Sequence, residues 1–202
     1  MNQTPVHAPT TKNAKNFNSP GTRGAGKTEL IDGRVVTKPP ATRWHNIIRA
    51  NFIIAVGSRI QRSQCEIYAG DLQVQVGKSS LFFPDLAVVC GEPHFTDSHY
   101  STLVNPTAVV EILSPASHSI DRTQRMEGFL GIPTIKECLL VNEDEMRIEH
   151  YARQQVKQWV YRIYNEREDI VVLESLGIRL SVAEVYAQVK FSESELSSKA
   201  VN

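Results

Sequence analysis

Two short apolar segments, each containing a single acid, most constrain how this chain of 202 residues can fold. Residues 81–90 and 107–113 are rich in Val, Leu and Phe, and turn-forming residues bound both segments. This pattern is typical of buried strands, because an amphipathic helix needs a longer segment with helical periodicity. The acids are Asp85 in the first segment and Glu111 in the second.

An ionised carboxylate in a buried strand is costly unless a positive group or a hydrogen-bond donor compensates it. Asp85 and Glu111 on neighbouring strands would repel each other unless they share a cation. Carboxylates with a carbonyl oxygen and waters are the ligands that Mg²⁺ prefers. The alternative is that each acid lies at a strand end, paired with an arginine or a backbone donor. The presence of two such strands in succession favours the metal interpretation.

The remaining periodic segments predict an α/β domain with a mixed central sheet flanked by helices. Asp32-Gly33 indicates a hairpin turn between two short strands, and Thr42 is a suitable N-cap for the first helix. Helices are predicted at 43–63, 116–130 and 182–189. Strands are predicted at 29–31, 34–37, within 65–76, at 138–142 and, as an antiparallel extension of the sheet, at 146–151, 158–164 and 170–173.

The two ends of the chain are predicted to lie outside this domain, which spans residues 28–190. Residues 1–27 are rich in Asn, Thr, Pro, Gly and Lys and contain little apolar surface to bury, which predicts a disordered tail. The Ser-rich residues 191–202 are predicted to form a frayed C-terminal tail.

The segment from Gly21 to Thr28 matches the phosphate-binding pattern GxxxxGK[ST]. That pattern binds phosphate only between a buried strand and a helix, whose N-terminal amides face the phosphate. The polar residues before it cannot form a buried strand, and a hairpin follows it in place of a helix. We therefore predict that this segment binds no nucleotide.

Composition narrows the functional classes. The sequence has 22 Lys and Arg residues and 22 Asp and Glu residues, so its net charge is zero. A neutral protein is not expected to coat nucleic acid through its overall charge, although it can still have a local basic groove.

The sequence shows no stretch with the length of a membrane span and no signal-peptide core, so a cytoplasmic protein is expected. Cys65, Cys90 and Cys138 lie far apart in apolar segments and are predicted to be reduced core residues.

The segments around the two acids resemble the core of the Uma-two family of endonucleases, within the PD-(D/E)XK nuclease superfamily. Pro84-Asp85 and Glu111-Ile112-Leu113-Ser114-Pro115 carry the resemblance, which extends over about residues 29–189. Further matches are ELIDGRVV at 29–36, RWHN at 43–46, PDLAVVCGEPHF at 84–95, IPTIKECLLVNED at 132–144 and SLGIRLSVAEVY at 175–186.

The resemblance implies hydrolysis of DNA phosphodiester bonds with Mg²⁺ or Mn²⁺ as cofactor. It assigns Asp85, Glu111 and the carbonyl oxygen of Ile112 as metal ligands, and the metal would lower the pKa of a bound water. Glu29 and His45 would be further acids or ligands around the same centre. Without the resemblance, His45 would be interpreted as a surface or capping residue. By analogy with other nucleases of the superfamily, a homodimer is expected.

Arg125 marks a departure from the family pattern, in which a lysine occupies this helix position. Arginine stays charged at all accessible pH and cannot act as a general base, although it can bind phosphate through two N–H groups. Phe129 likewise replaces a tyrosine. We therefore expect weak or absent cleavage that Arg125→Lys raises. Two functions remain open: a metal-dependent DNA endonuclease, and a non-catalytic descendant that binds nucleic acid or a partner protein.

Overall fold

The computed structural model of this protein describes residues 27–38, 40–60, 64–114 and 121–191. The tails predicted at 1–27 and 191–202 lie outside these ranges except for one residue each, Lys27 and Phe191. No helix in the described ranges is long and apolar enough to cross a membrane.

The helices and strands of the described chain have the following bounds. The helices are α1 (Arg43–Ile60), α2 (Asp121–Gly131) and α3 (Val182–Val185). The strands are β1 (Thr28–Ile31), β2 (Arg34–Thr37), β3 (Cys65–Ala69), β4 (Gln73–Val76), β5 (Ser80–Phe82), β6 (Leu86–Cys90), β7 (Thr102–Leu103), β8 (Ala108–Leu113), β9 (Glu137–Asn142), β10 (Ile148–Gln155), β11 (Gln158–Tyr164), β12 (Ile170–Leu173) and β13 (Ile178–Ser181).

A mixed six-stranded sheet with the order β11-β10-β9-β8-β6-β3 forms the centre of the fold. Strands β8 and β9 are parallel, and the other neighbouring pairs in this sheet are antiparallel. Alternate residues of β8 face opposite sides, so that Val110 packs with α1 and Val109 packs with α2. The predicted mixed sheet flanked by helices is confirmed.

A second, five-stranded sheet with the order β2-β1-β5-β4-β7 packs in the same apolar cluster as α2. It contains the predicted β1–β2 hairpin, whose turn residues Asp32 and Gly33 have positive φ angles of 48° and 78°. Two such residues in succession are what a type I′ hairpin turn requires. This hairpin becomes one wall of the candidate site.

Residues 81–90 do not form the single strand that the sequence predicted. They divide into β5 and β6, which belong to different sheets, with Phe83-Pro84-Asp85 between them. Pro84 has no N–H to donate to a strand ladder, which is the physical reason for the interruption. The interruption places Asp85 immediately before β6, where its side chain lies at the end of a buried strand.

Other segments also differ from the sequence prediction. The antiparallel extension through β9, β10 and β11 is confirmed, but β12 pairs with β13 in a separate hairpin because a short turn makes that pairing local. The helix expected at 182–189 is confined to α3, whose C-cap is Tyr186 and after which Gln188 has a positive φ of 66°. Helix α2 begins at Asp121, and residues 116–120 of the predicted helix lie outside the described ranges.

The expectation of three reduced cysteines is wrong for two of them. Cys65 and Cys90 form a disulfide, with Cα atoms 4.0 Å apart, whereas Cys138 is a buried free thiol. The antiparallel register of β3 and β6 places Cys65 directly opposite Cys90. A spacing of 25 residues does not reveal this register, because it depends on how the two strands pair.

Helix α2 lies very close to the second sheet at Gly128. A Cβ atom at this position would lie 2.8 Å from Cγ1 of Val76 and 2.9 Å from Cε2 of Phe82. We expect Gly128→Ala to lower the free energy of unfolding by about 1–2 kcal/mol, because overpacking outweighs the gain in helix propensity. Urea denaturation measures this change.

The control is Gly57→Ala in α1, where an added Cβ would contact nothing within 4 Å. This substitution is expected to be neutral or stabilising, because only the helix propensity changes. Equal stabilisation by both substitutions would contradict the close approach at Gly128.

Candidate functional site

A cavity of about 650 Å³ lies between the central sheet, the β1–β2 hairpin, the start of α1 and one side of α2. The six residues that the sequence analysis assigned to a site all line it: Glu29, His45, Asp85, Glu111, Ile112 and Arg125. Glu29 and Arg125, which contact each other, are 96 positions apart in the chain. The fold therefore brings the predicted residues together.

Asp85 and Glu111 lie side by side at the floor of this cavity. Leu86 of β6 pairs with Val110 of β8, which brings the residue before Leu86 across from the residue after Val110. Both acids are only 3% exposed. One oxygen of Asp85, Oδ2, accepts a hydrogen bond of 2.9 Å from the backbone N–H of Ile112.

His45 holds the second oxygen of Asp85. Its Nε2 lies 2.7 Å from Asp85 Oδ1, and its Nδ1 lies 3.7 Å from Oε2 of Glu143. Thr42 caps the start of α1, as the sequence predicted: its Oγ1 accepts a hydrogen bond from the backbone N–H of His45. The same hydroxyl donates to Glu143 at 2.8 Å. The capping geometry thus turns His45 towards the acids.

Arg125 bridges two buried acids from α2. One of its terminal nitrogens bonds to Glu29 and the other to Glu111. Burial opposes the charged form, but Glu111 and Glu29 raise the pKa of Arg125 above its ordinary value. The guanidinium also lies 4.9 Å from the ring centroid of Phe82 and 5.8 Å from that of Phe129, the residue in the family's tyrosine position. Arg125 is therefore fixed inside the protein.

Lys38 is a site residue that the sequence analysis missed. Its Nζ lies 3.4 Å from Glu111 Oε2, 3.7 Å from Asp85 Oδ2 and 3.2 Å from the carbonyl oxygen of Phe83. Burial opposes the charged form, yet Glu111 and Asp85 raise the pKa of Lys38. One signal could have indicated it: a charged residue follows β2 directly and precedes Pro39-Pro40.

Glu143 was also missed, although it follows β9 directly, as a polar residue at the end of a buried strand. Its carboxylate is tied to α1 through Thr42, and its backbone N–H donates to the carbonyl oxygen of Leu113. Because Leu113 is two residues beyond Glu111, Glu143 connects the ends of β8 and β9 at the cavity.

The surroundings shift the pKa values of Asp85 and Glu111 in opposite directions. Burial would raise the pKa of Asp85, but the hydrogen bond to His45 and the charge of Lys38 lower it to about 2. Complete burial raises the pKa of Glu111 above its ordinary value, against the opposing charges of Arg125 and Lys38. Both acids thus have the positive or backbone partners that the alternative interpretation of the sequence required.

The glycine-rich segment ends at the rim of the same cavity. Lys27 pairs with Asp71 and donates to the carbonyl oxygen of Gly70, and Thr28 begins strand β1. The structure therefore has a strand where the phosphate-binding pattern needs a helix. Residues 21–26 lie outside the described ranges, and the absence of nucleotide binding remains a prediction.

The donor atoms at the cavity floor suit a small divalent cation. Asp85 and Glu111 each direct an oxygen at the same ammonium group of Lys38, so their carboxylates already converge on one positive charge. In the described part of the chain, no three His, Cys, Asp or Glu side chains form a group that could hold a metal ion. Mg²⁺ does not require one, because it commonly binds one or two carboxylates and keeps several waters.

Three comparisons relate the chain to known proteins. A sequence model of the Uma2 family, described as "Putative restriction endonuclease", matches residues 19–183. The chain is 31% identical over 135 residues to uncharacterized protein sll1609 of Synechocystis sp., covering 66% of this chain and 76% of that protein. It is 25% identical over 166 residues to uncharacterized protein slr1290 of the same organism, covering 82% and 86%.

A solved structure has a similar fold. It is the crystal structure of a putative nuclease belonging to DUF820 from Anabaena variabilis, with a TM-score of 0.70 and 19% sequence identity. The similarity covers 88% of this chain and 98% of the other.

Proposed function

Because this chain belongs to the Uma2 family of restriction-endonuclease-like proteins, we propose that it is a metal-dependent endonuclease that hydrolyses phosphodiester bonds of DNA. The observation that carries the proposal is that the carboxylates of Asp85 and Glu111 converge on one positive charge, the ammonium group of Lys38, at the floor of a cavity. A cytoplasmic location, where DNA is accessible, is part of the same proposal.

Asp85, Glu111 and the carbonyl oxygen of Ile112 would hold Mg²⁺ or Mn²⁺. Such an ion supplies a bound water of lowered pKa and neutralises charge on the scissile phosphate. Asp85 retains lone pairs for this role, because each of its oxygens receives only one close hydrogen bond from the described residues, from His45 or from the N–H of Ile112.

The surrounding residues fix the two acids in position. His45 orients Asp85 and is itself positioned by Thr42 at the start of α1. Arg125 orients Glu111, and Glu29 in turn holds Arg125. Residues that hydrogen-bond to metal ligands fix the orientation of those ligands. We therefore assign His45, Arg125 and Glu29 as positioning residues.

The proposal is tested by cleavage of supercoiled plasmid DNA. We expect the wild type to nick DNA with Mg²⁺ or Mn²⁺ but not with EDTA. Asp85→Asn is expected to reduce the rate by at least about a hundredfold, because even the loss of a residue that only orients a metal ligand lowers activity by about 10–100-fold. Asp71→Asn is the control, since Asp71 is an exposed acid at the rim. Metal-independent nicking, or wild-type rates in Asp85→Asn, would contradict the proposal.

A second function is favoured by one specific observation. Arg125 and Lys38 already compensate the charge of Glu111, and Lys38 and Arg49 that of Asp85. Such internal compensation suits a non-catalytic protein that binds nucleic acid through the same fold. The expected result is then DNA binding without cleavage in either metal, with no change in affinity for Asp85→Asn.

A further inference from the structure

Lys38 occupies the position between the two acids that a cation would take. Its ammonium group donates to the carbonyl oxygen of Phe83 and to Oε2 of Glu111, and it lies at an ion-pair distance of 3.7 Å from Oδ2 of Asp85. The side chain is 23% exposed and lines the cavity. A lysine ammonium is a compact charge on a flexible four-carbon stem, which allows it to change partners.

Arg125 has no comparable freedom. Its guanidinium is held by Glu29 and Glu111 and lies against the rings of Phe82 and Phe129. Its side chain is 10% exposed, less than half of the value for Lys38. Reaching a bound phosphate would require Arg125 to break its ion pairs with two buried carboxylates, which is strongly unfavourable.

Lys27 is the other lysine that lines the cavity in the described ranges. It pairs with Asp71, whose side chain is 89% exposed, and donates to Gly70 at the rim. No contact joins Lys27 to Asp85 or Glu111 among the described interactions. Arg49 also lines the cavity, and its Nη1 lies 3.8 Å from Asp85 Oδ1, but its other terminal nitrogen donates to Asn46 and no described interaction joins it to Glu111. Lys38 is thus the flexible cation that contacts both acids.

We propose that Lys38 is the side chain that contacts the scissile phosphate, and that it supplies from the end of β2 the cation that Arg125 in α2 cannot supply. The inference rests on the proposed function. Lys38 and a divalent ion compete for the same oxygens of Asp85 and Glu111. When the ion binds, the ammonium leaves the carboxylates and donates to a phosphate oxygen in the cavity.

The test compares Lys38→Met with the wild type in two measurements. Calorimetric titration of Mg²⁺ without DNA is expected to show roughly tenfold tighter binding in Lys38→Met, because a nearby competing charge has been removed. Plasmid cleavage in saturating Mg²⁺ is expected to be on the order of a hundredfold slower, the usual cost of removing one donor to a developing charge. Lys38→Arg, which keeps the charge, is expected to recover part of the rate.

The control Lys27→Met removes one positive charge from the same cavity and is expected to change both quantities less than threefold, since solvent screens the rim. The opposite signs of the two effects in Lys38→Met separate a role towards substrate from a structural role, which would weaken both metal binding and cleavage. Loss of both, or cleavage at the wild-type rate, would overturn the inference.

Failure of the proposed function gives a different result. If the wild type does not cleave, the readout becomes its affinity in Mg²⁺ for a duplex with cleavage-resistant phosphorothioate linkages. A loss of affinity of about tenfold in Lys38→Met but not in Lys27→Met would support the phosphate contact and reject catalysis. Unchanged affinity in both variants would overturn the inference as well.

Discussion

Arg125→Met is expected to lower the free energy of unfolding by about 3–5 kcal/mol, the usual cost of removing one partner of a buried ion pair. Methionine fills a similar volume but leaves Glu29 and Glu111 without their shared cation. Both acids are 3% exposed, so water replaces the lost bonds only in part. Chemical denaturation in EDTA measures the effect in the absence of metal.

Arg59→Met is the matched control. Arg59 pairs with Glu184, but the two side chains are 34% and 43% exposed. Exposed pairs contribute at most about 1 kcal/mol, so a loss within that limit is expected. A loss in Arg125→Met no larger than in Arg59→Met would show that Arg125 does not hold the two acids.

The contacts of Arg125 also change the expectation for Arg125→Lys. The sequence predicted a faster enzyme, because lysine is the family's residue at this position. In the structure, two nitrogens of one planar group bond to two different acids, and a lysine has a single nitrogen with which to replace them. We now expect Arg125→Lys to lower stability and to leave cleavage unchanged or slower.

Mg²⁺ at about a hundredfold excess over its Kd is expected to stabilise the wild type by about 2.7 kcal/mol, because an ion that binds only the folded state shifts the unfolding equilibrium. Asp85→Asn and Glu111→Gln are expected to lose this stabilisation, since each removes a charged ligand at nearly constant volume. Thermal or urea unfolding with Mg²⁺ and with EDTA measures the difference for each variant.

Each variant is compared with itself, because both substitutions also change stability without metal. Asp85 bonds to His45 and Glu111 bonds to Arg125, so removing either charge weakens a buried contact. Asp71→Asn is the control and is expected to keep the full Mg²⁺ effect. Retention of that effect in Asp85→Asn and Glu111→Gln would show that the acids are only members of structural ion pairs.

The sequence determined the type of most elements and the identity of the central acids. The Asp32-Gly33 turn, the cap at Thr42 and the alternation within the strands are local signals, because each depends on neighbours within a few residues. A lone acid in an apolar strand is also readable without a structure, since burial of a charge needs a compensating partner. The break at Pro84 is a further local signal, because proline has no N–H to donate to a strand ladder, although the sequence prediction ran one strand through it.

Only the tertiary structure decided which partners those acids have. The bridge from Arg125 to Glu29 joins residues 96 positions apart, and Lys38 reaches Glu111 from 73 positions away. The Cys65–Cys90 disulfide likewise follows from the register between β3 and β6. Periodicity records whether a side chain is buried, but which side chains meet depends on how strands and helices from distant parts of the chain pack together.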